Sequence, residues 1–90
     1  MKIISVKDMK AKLFLQPTFQ RSVHDATRSF EVIVNEPDNM ISKFPDDFRL
    51  YQIGEFDQDS GVITETNPPL DLGAASEFKK RPPLQNAVPL

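Results

Sequence analysis

The chain has no cysteine, no tryptophan, one histidine and three isolated glycines. Each shortage excludes something. Without cysteine there are no disulfides, thiolate nucleophiles or Cys-based zinc sites. With His24 alone, His-rich metal sites and mechanisms that need two imidazoles fall away. Scattered glycines leave no Gly-rich loop to cradle a phosphate. No stretch reaches the ~18 apolar residues of a membrane span, and the first residues form no signal-like apolar region. A soluble, cytoplasmic protein with no membrane partner is the expectation.

What is present suits one modest core. Ninety residues, 39% of them hydrophobic, leave no room for two. The formal charge of −2 is unevenly spread. Lys2, Lys7, Lys10, Lys12, Arg21 and Arg28 make residues 1–28 basic, whereas residues 29–78 hold eleven acids against Lys43 and Arg49. Screening limits electrostatic reach to about 8–10 Å, so a local basic face matters more than the total. An ordinary solvated surface accounts for the same lysines.

Lys2–Lys7 is short and β-branched, an opening strand. A turn through Asp8–Ala11 leads to a second strand over Lys12–Phe19, where Leu13, Leu15 and Phe19 share one parity and Phe14 takes the other. Pro17 donates to no ladder, which places that strand at an edge or ends it near Gln16. The period then changes. Ser22 caps a helix with Asp25 at the third position, and Val23, Ala26, Phe30, Ile33 and Val34 form its apolar face. Residues 35–38 stop it at Pro37. Met40, Ile41 and Phe44 anchor a connector with space for a helical turn before Pro45. Phe48–Phe56 alternates, with Phe48, Leu50, Gln52 and Phe56 on one side and Arg49, Tyr51, Ile53 and Glu55 on the other; Gly54 marks a candidate bulge. After a turn at 57–61, Val62–Thr66 returns as a fourth strand. This reads as an α+β fold: a two-layer arrangement of about four antiparallel strands (β-β-α-β-β) with one helix on one face.

The folded domain is expected to span residues 1–66. Five of the eight prolines lie in the last 24 positions, so residues 67–90 read as a Pro-rich extended arm. Leu70, Leu72 and Phe78 can pin its first half to the domain, and disorder is expected beyond. The arm either folds back over Tyr51 and Ile53 on the open side of the sheet or crosses to a second copy.

Three constellations invite chemistry and yield little. Asp57-x-Asp59-x-Gly61 opens like a calcium loop, but its glycine is fifth and its twelfth residue is Pro68, so an acidic turn is the better reading. His24-Asp25 project about 100° apart on a helix. Asp46-Asp47 is a carboxylate pair without a nucleophile or phosphate clamp beside it. No enzyme activity, cofactor or metal is expected. Aromatics interleaved with bases suit single-stranded nucleic acid, which stacks on rings and tracks positive charge. Lys10, Lys12, Phe14, Phe19 and Arg21 on the first hairpin, with Arg49 and Tyr51 on the third strand, form that candidate site. Phe is equally a core residue.

An ordered set of short motifs runs through residues 1–80: Lys10-Ala11-Lys12, Gln16-Pro17-Thr18-Phe19, Arg28-Ser29-Phe30, Val34-Asn35, Phe44-Pro45-Asp46-Asp47-Phe48, Ile53-Gly54-Glu55-Phe56-Asp57 and Glu77-Phe78-Lys79-Lys80. In this the chain resembles the small nonstructural protein of gokushoviruses, the single-stranded-DNA microviruses (Microviridae) that infect bacteria. The resemblance implies a bacteriophage protein of the host cytoplasm, absent from the mature virion and accessory to DNA binding or synthesis. It carries no agreed site residues. Two functions follow as expectations: binding of single-stranded DNA during genome replication or packaging, or docking of the acidic middle segment on a host or viral protein. A homodimer is expected, because one helix covers only one face of the sheet.

Overall fold

The computed structural model describes residues 1–80. Five antiparallel strands form one open sheet: β1 (Lys2–Asp8), β2 (Leu13–Phe14), β3 (Thr18–Gln20), β4 (Phe48–Phe56) and β5 (Ile63–Ala74). Three helices accompany them, α1 (Val23–Asn35), α2 (Met40–Lys43) and α3 (Ala75–Phe78), with a 3-10 turn at Pro45–Asp47. The expected second strand is two strands, because Leu15–Pro17 leave the ladder between them. β2 pairs with one end of β1 and β3 with the other. Beyond β1 lie β4 and then β5, the far edge.

Helix α1 forms where the period predicts. The Ser22 side chain accepts from the Asp25 N–H at 3.0 Å, and the Glu36 N–H closes the other end on the Ile33 carbonyl. Ala26, Phe30 and Val34 are buried against Ile4, Phe48, Leu50 and Ala75, with Val6, Ile41, Leu72 and Phe78 packed around them. Burying a ring such as Phe30 stabilises the fold by about 2–3 kcal/mol. Phe78 meets it edge-on, centroids 5.5 Å apart.

Two irregularities redirect side chains. β1 pairs Ile3 with Gly54 and Ile4 with Gln52, leaving Ile53 as an extra residue on β4. Alternation therefore holds from Phe48 to Gln52 and then flips. Phe56, expected on the core side, goes with Ile3 to the open face. Gly54 sits at this crossing because space is short: a Cβ there would stand 2.8 Å from the Thr64 carbonyl oxygen. The break at Leu15–Pro17 likewise frees Phe19 from the parity of Leu15, and Phe19 lies opposite Ile3.

The last strand does not end at Thr66. β5 continues through Pro68 and Pro69 to Ala74, and Ala75 of α3 is fully buried. An edge strand tolerates this proline pair because its outer side needs no donors. The ladder also shifts there: Gly54 opposes Glu65 and Gln52 opposes Leu70, so Thr66–Pro69 bulge opposite Ile53. Residues 67–78 thus belong to the sheet and core, and residues 67–74 lie in the plane of the sheet rather than over Tyr51. The remainder of the expected arm, from residue 81, lies outside the described residues.

The closing segment is tied down by polar contacts. The Asn35 side chain donates to the carbonyls of Glu31 (2.8 Å) and Phe78 (3.0 Å) and accepts from the Lys80 N–H (2.8 Å). Lys79 Nζ donates to the carbonyls of Val34 and Ser42 at 3.1 and 3.0 Å, at the ends of α1 and α2. The Val34-Asn35 and Glu77–Lys80 motifs thus meet as one latch.

Candidate nucleic-acid interface

The face of the sheet away from α1 is built from alternate residues of β1 and their partners. Ile3, Ser5 and Lys7 point there, opposite Gly54, Tyr51 and Arg49 on β4. Two aromatic pairs bridge across β1. Phe14 of β2 meets Tyr51 of β4 at 5.6 Å between centroids, and Phe19 of β3 meets Phe56 at 5.7 Å. Their rings roof Ser5 and Ile3, which are only 2% and 8% exposed. Phe14 and Phe19 themselves remain 42% and 50% exposed. Beneath the first pair, the Ser5 hydroxyl donates to the Leu15 carbonyl, holding the interrupted edge in place. Lys7 Nζ lies 5.2 Å from the Phe14 centroid, within cation–π range.

Four of the residues expected from sequence, Phe14, Phe19, Arg49 and Tyr51, therefore share this face. Arg49 is not free. Its guanidinium donates to both oxygens of Asp71, at 3.0 and 3.3 Å, and lies 3.8 Å from Glu77. The hydrogen bond to Asp71 raises its pKa further, and its charge is paired in a partly exposed ion pair. Burial pushes the Asp71 carboxyl up, but the Arg49 hydrogen bond and the Gly73 N–H outweigh this and hold it below its ordinary value.

The other three bases disperse. Lys10 and Lys12 occupy the β1–β2 turn, where Asp8 Oδ1 accepts the N–H groups of Lys10 and Ala11 and Lys12 takes a left-handed φ of 60°. Lys10 lines a hollow with Met40 and Phe44 on the other side of the sheet. Arg21 stands at the opposite end, paired with Asp25 at 3.4 Å. The register from Lys2–Gln20 to Asp8–Leu13 separates these ends by about 20 Å. Sequence reasoning missed Lys7 and Phe56. Lys7 shares the odd parity of Ile3 and Ser5, a signal present in the strand; Phe56 is displaced by the bulge and gave none.

The Asp57 carboxylate is occupied by its own backbone. Asp57 Oδ1 accepts from the Asp59 and Ser60 N–H groups, which hold that carboxyl below its ordinary value. Asp46 and Asp47 lie in the 3-10 turn, where the Asp47 carbonyl accepts from the Met9 N–H. Among the described residues no three His, Asp or Glu side chains gather as a metal site, and no helix is long and apolar enough to cross a membrane.

A small α+β domain with an aromatic sheet face that the other described residues leave open is the class this geometry defines. The model of the Phage ORF5 protein family matches residues 1–78, and the chain belongs to that family. It is a phage protein. Comparison with curated proteins and with solved structures returns no match.

Proposed function

We propose that this phage protein is a non-enzymatic nonstructural protein, of the gokushovirus kind, that binds single-stranded DNA during genome replication or packaging in the host cytoplasm. The observation that carries the reading is the pair of aromatic bridges, Phe14–Tyr51 and Phe19–Phe56, each with one exposed and one half-buried ring, with Lys7 beside the first. Bases stack on such rings whatever their sequence, each contact worth about 1–3 kcal/mol. Lys7 and, at the near end, Lys12 supply charge for phosphates. Lys10, Arg21 and Arg49 stand in this reading as peripheral contacts, since they lie at the ends of the sheet or are already paired.

Fluorescence anisotropy with a labelled oligonucleotide tests it. Phe14→Ala and Phe19→Ala are each expected to weaken binding about tenfold or more. Two phosphate contacts, at Lys7 and Lys12, give a log–log salt slope of about −1.4, and Lys7→Gln makes it shallower by about 0.7. A flat salt dependence, or no binding at low salt, overturns the reading.

A further inference from the structure

On the helix side of the sheet, a hollow of about 480 Å³ opens between the end of α1, α2 and the β2–β3 connection. Leu15, Ile33, Ile41 and Phe48 line it, with Met40 at the lip. A second hollow of about 310 Å³ adjoins it, sharing Met40 and Phe48 and adding Phe44. Ile33 occupies a core-spaced position of α1 yet is 39% exposed; Leu15 is 41%, Phe44 50% and Met40 61% exposed. These residues form a continuous apolar strip that the chain's own described elements leave uncovered.

Its border is acidic. Asp8 and Glu36 line the larger hollow and Asp47 the smaller, with Lys10 the one base lining either among the described residues. Asp38 and Asp46 stand exposed beside them. Among the described residues none of these five carboxylates has an ion-pair partner. Such a border repels nucleic acid and attracts a cationic partner.

We infer that this groove docks an amphipathic basic helix of a partner protein. Apolar side chains at helical spacing would enter between Ile33 and Met40, while flanking Lys or Arg side chains meet Asp8, Glu36 and Asp47. Met40 is unbranched and polarizable, which lets the lip adapt to the entering side chains. The groove is separate from the aromatic face, so this docking stands whether or not the open face binds DNA.

The test uses the full-length protein and a labelled helical peptide of leucine and lysine, with leucines on one face. A peptide of identical composition with the leucines scattered, and a leucine–glutamate analogue, serve as controls. The amphipathic basic peptide is expected to bind at least about tenfold tighter than either control. Met40→Lys and Glu36→Lys should each weaken it about tenfold, and Phe14→Ala should not. Met40 and Glu36 are exposed, and unchanged thermal melting of both variants, or of the milder Met40→Ser and Glu36→Gln, verifies that the fold persists. Equal binding of the scattered peptide overturns the proposal, as does indifference to both substitutions. So does self-association lost on Met40→Lys, which would make a second copy the occupant.

Discussion

Asn35 ties the end of α1 to the closing segment through one amide group. It holds the Glu31 carbonyl, the Phe78 carbonyl and the Lys80 N–H. Asn35→Ala is expected to cost about 1–3 kcal/mol, since each abandoned partner must find water or stay unpaired; chemical denaturation measures it. The Arg49–Asp71 pair gives stability a pH dependence of known sign. The Asp71 carboxyl is held below its unfolded value, near 3.9. Its contribution is therefore fully present above that unfolded value and is lost as pH falls through the lower folded one. Denaturation midpoints measured from pH 5 down to pH 2.5 should drop less steeply in Asp71→Asn than in the parent. A parallel drop in both proteins contradicts this.

At the scale of elements, β5 and α3 carry the sharpest expectation. Truncation after Thr66 removes two thirds of the edge strand together with Ala75 and Phe78 and so opens the core at Phe30. The truncated chain should lose its cooperative thermal transition in circular dichroism; a melt like that of the parent would return residues 67–78 to the status of an arm. The sequence made α1, its Ser22 cap, and the alternation of Phe48–Gln52 readable because each follows one unbroken period. It hid β5 because a proline pair argues against a strand unless that strand is known to be an edge, and edge position is a tertiary fact. The same limit applies at the aromatic face. Phe14 and Tyr51 were legible as off-core residues from parity alone. Phe56 required the extra residue at Ile53, which depends on the register between two strands far apart in the chain. Arg49 looked like a free base because Asp71 reaches it only through the β4–β5 ladder.

For the whole molecule, the proposed assembly is a homodimer that joins two sheets at the Ile63–Glu65 end of β5, the part of that edge clear of the Pro68–Pro69 bulge. Val62 and Ile63 are 55% and 64% exposed at that end. Pairing there would set two aromatic faces side by side and lengthen the track for a strand. Light scattering at tens of micromolar is expected to give the mass of a dimer, and Ile63→Lys that of a monomer; a monomeric parent chain ends this proposal. The placement of α3 also has a consequence in time. Phe30 is covered by Phe78, and β1 finds its central partner in β4, so the contacts that close the core and the sheet are long-range. Such a topology folds on the scale of milliseconds or slower. During synthesis at about 5–20 residues per second, Phe30 waits about 2–10 s for Phe78 to be made. Through that interval the side of the Phe30 ring that Phe78 covers stands open, and translation speed as well as final stability sets the chain's exposure to aggregation.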